Sequence, residues 1–192
     1  MDDYNCCDYE REYTLSQLAE KYGTDKLTHG YIEFYEQHLP EKPARILEIG
    51  CLTGASLRMW REYFPDTEIH CLDLFEEHPQ PTDIPGVIYW KGNQTDQYVL
   101  EQLRRLHFDV IIEDGSHNSR DQLITFWSLW GCCDLYVAED LHCAMDEPYR
   151  QGLPLSETML KQMTDCDWTC GFAGIEFHIY NEKIAFLHAK PI

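Results

Sequence analysis

Phe108-Asp109-Val110-Ile111-Ile112-Glu113-Asp114-Gly115-Ser116-His117 is the stretch on which the reading of the fold turns. It starts as a short apolar run, the pattern of a strand buried in a parallel sheet. It then breaks into acid, glycine, hydroxyl and imidazole, groups badly placed for a core. Leu135-Tyr136-Val137-Ala138 followed by Glu139-Asp140 repeats the arrangement. In open α/β sheets, ligands bind just beyond the carboxyl ends of the strands. Asp114, Glu139 and Asp140 are therefore expected to converge there, with His117 beside them. Three such carboxylates point to a divalent cation, and a histidine that titrates near neutrality points to a base.

Strand and helix patterns alternate around this stretch. Residues 45–49, 68–72, 87–90, 109–112 and 135–138 read as strands, and residues 53–64, 96–106 and 119–130 as helices. Leu57 and Trp60 should line the inner face of the first of these helices, and Trp127 and Trp130 of the last should be core. Pro79, Pro81, Pro85 and Gly86 make 76–86 a loop. Upstream, 14–22 and 31–38 read as helices, stopped and separated by Gly23 and a loop at 24–30. Downstream, 141–152 is irregular and 155–164 a short helix. Residues 175–180 and 184–188 read as a hairpin across Asn181-Glu182-Lys183, although no glycine supplies positive φ there. Such a series implies an α/β fold: a mostly parallel sheet with helices on both faces, closed by a C-terminal antiparallel hairpin. At 192 residues one domain is expected, with a helical N-terminal segment at 1–40 and the α/β core at 44–192.

Leu47-Glu48-Ile49-Gly50-Cys51-Leu52-Thr53-Gly54-Ala55-Ser56 ends one strand and opens a helix. Its glycines let backbone approach a ligand. The spacing Gly-x-x-x-Gly is neither the dinucleotide fingerprint nor the P-loop. Glu48 would repel a pyrophosphate and suits a ligand bearing an ammonium group. Asp73 ends the next strand, where a carboxylate can accept from ribose hydroxyls.

With Glu48-Ile49-Gly50 and Asp73 in these positions, the chain resembles the class I S-adenosylmethionine-dependent methyltransferases, whose Rossmann-like fold has a seven-stranded sheet. More narrowly, it is similar to the metal-dependent sugar O-methyltransferases of macrolide biosynthesis. The shared stretches are Lys21-Tyr22-Gly23-Thr24-Asp25-Lys26 with His29-Gly30-Tyr31, Ser56 to Trp60 with Tyr63-Phe64-Pro65, Gly92-Asn93-Gln94-Thr95-Asp96, Glu113 to His117 and Glu139-Asp140-Leu141. The resemblance spans roughly residues 20–141. It implies Mg²⁺ held by Asp114, Glu139 and Asp140, with His117 as base. It implies Glu48 and Gly50 at the methionine part of the cofactor, Asp73 at the ribose, and Asn93 and Gln94 near the adenine. The loop carrying Tyr22 and Thr24 would close over the cofactor, and Ser56, Leu74 and Asp114 would join the cofactor-binding set. Asn93 stands where relatives carry Asp, and the segment after Asp140 departs from theirs, so substrate identity does not carry over.

Composition narrows the partners. A formal charge of −19 and a pI near 4.6 argue against nucleic acid and against an anionic membrane surface. The N-terminus lacks an apolar signal region, and no apolar run reaches the length of a membrane span. Nine cysteines without a paired CxxC pattern read as reduced cytosolic thiols, many of them small core hydrophobes. The expectation is a cytoplasmic, S-adenosylmethionine- and Mg²⁺-dependent O-methyltransferase acting on a small hydroxylated molecule, a sugar or a glycosylated natural product. Assembly into a homo-oligomer stays open. The alternatives are a catechol-type methyltransferase acting on an aromatic diol and a non-catalytic protein that kept the fold.

Overall fold

In a computed structural model, residues 12–165 and 175–189 are described. Residues 1–11 of the N-terminal segment lie outside them, as do Cys166 and Cys170; Cys6 and Cys7 are among the former. Among the described residues, Cys51, Cys71, Cys132 and Cys133 are buried free thiols, as small core hydrophobes should be.

Seven strands form one sheet: β1 (Arg45–Ile49), β2 (Glu68–Asp73), β3 (Val87–Lys91), β4 (Phe108–Glu113), β5 (Cys133–Ala138), β6 (Ile175–Tyr180) and β7 (Ile184–Ala189). Their order is β3-β2-β1-β4-β5-β7-β6. The first five pair in parallel, and β7 and β6 add antiparallel at one edge. The chain winds outward from β1 through β2 to β3, then returns to β4 on the other side of β1. The switch between β1 and β4 splays their carboxyl-end loops apart, and that crevice is where such sheets bind ligands.

Helices α1 (Leu15–Tyr22), α2 (Asp25–Thr28), α3 (Ile32–His38) and α4 (Ala55–Tyr63) lie on one side of the chain order before or just after β1. Residues of α1, α3 and α4 pack with Ile46, Val110, Ile112, Leu135 and Val137. Helices α5 (Gln97–Leu103), α6 (Ser119–Leu129) and α8 (Met159–Asp165) contribute to the opposite core, with Leu47, Ile49, Ile111, Tyr136 and Ala138. Alternate strand residues thus fall into different cores, as a two-residue period requires. Leu57 and Trp60 are fully buried on the inner face of α4. Thr14 starts α1 with a capping box on Gln17, and Gly23 ends it at φ +66°.

Some expectations change. The stretch 24–30 is not wholly loop, because Asp25–Thr28 forms the single turn α2. The segment after Asp140 is more regular than expected: Leu141–Met145 is a 3₁₀ turn and α7 spans Glu147–Arg150. Trp127 is about half exposed, so it is not core; α6 turns that side to solvent. In the hairpin, Asn181 and Glu182 adopt φ +54° and +57°, and the Lys183 N–H donates to Tyr180 O at 2.9 Å. Positive φ at both central residues is the turn that matches strand twist, here formed without glycine.

Candidate active site

Strand parity builds the site. Along β1, Ile46 and then Glu48 face the core under α1 and α3. Along β4, Val110 and Ile112 are followed by Asp114, and along β5, Leu135 and Val137 are followed by Glu139. Three adjacent strands therefore end with a carboxylate on the same face. Unpaired, each would carry a desolvation cost of several kcal/mol. The partner is Lys26 on α2, whose side chain is fully buried. Its Nζ lies 2.6 Å from Asp114 Oδ2, 2.9 Å from Glu139 Oε1 and 3.3 Å from Glu48 Oε1. Burial alone would lower the Lys26 pKa, but Asp114, Glu139 and Glu48 outweigh it and hold that pKa well above the ordinary lysine value. Burial pushes the carboxyls of Glu48, Asp114 and Glu139 upward, with Lys26 opposing. One ammonium among three carboxylates leaves an excess of negative charge.

Helix α3 supplies neutral donors. The Tyr35 hydroxyl donates to Glu139 Oε1, and that of Tyr31, just before α3, donates to Asp140 Oδ1 at 2.5 Å. Burial raises both phenol pKa values, and the carboxylate partners raise them further, so both hydroxyls stay protonated. The Tyr35 hydroxyl and the Lys26 ammonium both meet Glu139 at Oε1, and Glu139 is not in the group of donors that the structure gathers around Asp140. Asp140 and His117 hold left-handed backbone, at φ +53° and +57°. Such conformations are uncommon outside glycine and persist where surrounding structure enforces them. They aim the two side chains at each other, with His117 Nε2 3.6 Å from Asp140 Oδ2. Asp114, His117 and Asp140 each offer a ligand atom, all within 4.8 Å of one another. The two carboxylates suit a divalent ion, and the imidazole beside them can either join that ion or serve as a base.

A cavity of about 650 Å³ opens beside this group. Gly50 and Asp73 form its floor at the ends of β1 and β2. Gly50 sits at φ +84°, and a Cβ there would meet Asp114 O at 2.0 Å, so only glycine lets the two loops approach. Asp73 is pinned by backbone: its Oδ2 accepts from Cys51 N at 2.8 Å and its Oδ1 from Phe75 N at 2.9 Å. Glu48 lies behind Gly50, fully buried; its Oε2 accepts from Ser56 Oγ at 2.9 Å, and its Oε1 lacks a hydrogen bond. That oxygen has the Lys26 ammonium 3.3 Å away, shared with Asp114 and Glu139, so the carboxylates beside the glycine cradle keep a net negative charge, which fits a ligand with an ammonium group.

The structure brings Thr24, Gly50, Ser56, Asp73, Leu74, Asn93, Gln94, Asp114 and His117 to the cavity wall. Glu139 and Asp140 are buried at 1% and 7% exposure, and neither is among the wall residues. Tyr22 is not on the wall either; its hydroxyl donates to Glu62 on α4. Gln94 is committed within the protein: its Nε2 donates to Glu113 Oε1 at 2.9 Å, and its Oε1 accepts from Ser116 N at 2.7 Å. A Cβ on Gly115 would strike that same Oε1 at 2.1 Å. Gln94 therefore ties the loop after β3 to the loop after β4. Beneath it, burial pushes the Glu113 carboxyl up to about 7.

Lys26, Tyr31, Tyr35 and Glu113 were missed as site residues. The parity of 46/48, 110/112/114 and 135/137/139 could have shown that three acids on one face, Glu48 and Glu139 of them buried, needed a cation. The four-residue spacing of Tyr31 and Tyr35 marks one helix face, but nothing local says that acids lie under it.

No family model matches the chain. It is 31% identical, over 86% of its length, to a rhamnosyl-tetracenomycin-C 3'-O-methyltransferase of Streptomyces olivaceus. It is 32% identical, over 70% of its length, to the mycinamicin VI 2''-O-methyltransferase of Micromonospora griseorubida. The chain spans about half the length of the first relative and about a third of the second, 51% and 37%. Among solved structures it superposes on the MycE methyltransferase of mycinamycin biosynthesis, in complex with Mg, SAH and mycinamycin VI. The TM-score is 0.77 at 25% identity, over 94% of this chain and 55% of that one. By fold and by sequence, the chain belongs with the class I S-adenosylmethionine-dependent methyltransferases, and among them it resembles the sugar O-methyltransferases of macrolide and tetracenomycin biosynthesis.

Proposed function

We propose that the chain methylates a hydroxyl of a small molecule, a sugar or a glycosylated natural product, using S-adenosylmethionine and Mg²⁺ or another divalent cation. The observation that carries this reading is the meeting of two half-sites. The Gly50–Asp73 cradle and the Asp114–His117–Asp140 group lie at the same switch point, on either side of the approach of Gly50 to Asp114. The similarity to sugar O-methyltransferases supports it.

When bound, the cofactor supplies an electrophilic methyl on a sulfonium, and the cation lowers the pKa of a coordinated hydroxyl. The rest belongs to the chain. Asp114, Glu139 and Asp140 would hold the cation. Glu48 receives the ammonium of the methionine part, with Ser56 fixing its other oxygen. Asp73 accepts from the ribose. Thr24, Gly50 and Leu74 bound the cofactor pocket, Asn93 and Gln94 bound its adenine side, and Tyr22 braces the covering loop through Glu62. His117 takes the hydroxyl proton at Nε2, beside Asp140, which stabilises the imidazolium. A positioned base of this kind contributes about 10²–10⁴-fold.

Calorimetry with S-adenosylhomocysteine, followed by turnover on a panel of glycosides with and without EDTA, tests the proposal. Binding together with EDTA-sensitive methylation is the expected result. Absence of cofactor binding overturns it, and EDTA-insensitive turnover removes the metal.

A further inference from the structure

We infer that Lys26 is a resident counter-cation that competes with the divalent ion for Asp114 and Glu139 and keeps that ion loosely bound and exchangeable. The inference rests on the metal reading above and concerns a residue which that reading does not use.

Lys26 Nζ has no exposure to solvent and sits among three carboxylates. Its shortest contact, 2.6 Å, is to Asp114, and Asp114 is also a member of the three-residue donor group with His117 and Asp140. A carboxylate shared between an ammonium and a divalent ion serves each less well. Two cations bridged by one carboxylate also repel at short range, in a place where little water screens them. Asp140 is spared: its nearest partners are the Tyr31 hydroxyl and the rings of His29, His117 and His142. The four acids thus divide into three that share a fixed positive charge and one that keeps its charge for a ligand.

The arrangement has two effects. The carboxylates are assembled before any ion arrives, so ion binding does not have to organise them. The fixed charge also lowers the field that the ion meets. A residue that only braced the fold would act oppositely, because removing it would scatter the carboxylates and weaken ion binding.

The test measures Mn²⁺ binding by calorimetry or electron paramagnetic resonance on the full chain, without cofactor or substrate. Lys26→Met is expected to bind Mn²⁺ at least about tenfold more tightly than the unaltered chain, and to turn over more slowly, because Asp114 loses the contact that positions it. Removing the ammonium leaves buried acids unpaired, so the comparison is repeated between Glu139→Gln and Lys26→Met/Glu139→Gln, where one buried charge has already been removed. There too the double variant should bind more tightly than the single. Unchanged or weaker Mn²⁺ binding in both comparisons makes Lys26 a structural pin and overturns the inference. An unaltered chain that takes up no Mn²⁺ overturns the metal reading first, and the inference with it.

Discussion

Helix α3 is fastened to the sheet at both ends, by opposite chemistry. At its start, Tyr31 and Tyr35 reach carboxylates, Asp140 and Glu139, with the Lys26 ammonium on Glu139 as well. At its end, His38 reaches neutral groups: Nδ1 lies 2.9 Å from His188 Nε2 on β7, and Nε2 lies 2.7 Å from the Tyr180 hydroxyl on β6. Both ends satisfy polar groups between helix and strand, as burial demands. Only the first holds more negative charge than its own partners cancel. The difference separates a fastening from a site: a fastening closes its own electrostatics, whereas a binding site leaves a deficit for a ligand to fill.

Substitutions at the charged end should therefore affect turnover far more than stability. Asp114→Ala and Asp140→Ala are expected to lower turnover by about 10³-fold or more, since each removes both a cation ligand and part of its field. Circular dichroism should show a folded chain in each case. A variant that keeps its rate and its dependence on added Mg²⁺ would place the cation elsewhere. Next in size, His117→Ala should lower kcat by about 10²–10⁴-fold while leaving the affinity for S-adenosylhomocysteine intact. A near-normal rate would remove His117 as the base.

That these residues gather at one end of the sheet was legible early, while what pairs with them was not. Residues 45–49 read as a strand, and the structure returns β1 as Arg45–Ile49. The acids at the ends of β4 and β5 are meaningful because a parallel sheet has an end at which ligands bind. The glycine spacing after β1 and Asp73 after β2 are equally local. Lys26 was not legible in this way. Its partners lie 22 to 113 residues along the chain in three different strands, so only their register brings them together. The single turn that presents it is too short for a periodic signal. Trp127 failed for a related reason: helical spacing identifies a face but not whether another element covers it.

Tyr35→Phe probes the boundary between the two kinds of end, because it removes a neutral donor from a charged cluster. Glu139 keeps Lys26 but loses a hydrogen bond in a fully buried place. A loss of about 1–3 kcal/mol in unfolding free energy is expected, measured by denaturant titration. Turnover should fall less than in Asp114→Ala. If stability is unchanged, the Tyr35 hydroxyl is not a working part of the fastening.

The smallest effect belongs to the neutral end, and it should appear as a pH slope. Burial, followed by the nearby His188 and His178 rings, lowers the His38 pKa from its ordinary value to about 4; Glu176 on β6 opposes the shift. Burial lowers His188 as well. In the unfolded chain these imidazoles take protons near pH 6.5, while the folded chain resists until a lower pH. Between those limits the unfolded state binds more protons, so stability falls as pH drops and levels off below the folded value. Above about pH 6.5 both states are neutral and the contribution is flat. The window is thus roughly 6.5 down to 4 for His38, and Tyr180 and Phe186 are the neutral groups that the ring packs against. His38→Phe keeps a ring against Phe186 and cannot titrate, so its thermal midpoint should fall less steeply across that window. Mn²⁺ affinity and turnover at neutral pH should not move, because no charge at the other end of α3 depends on this ring. An equal slope in variant and unaltered chain would shift the acid sensitivity to the carboxylate end and erase the contrast between the two.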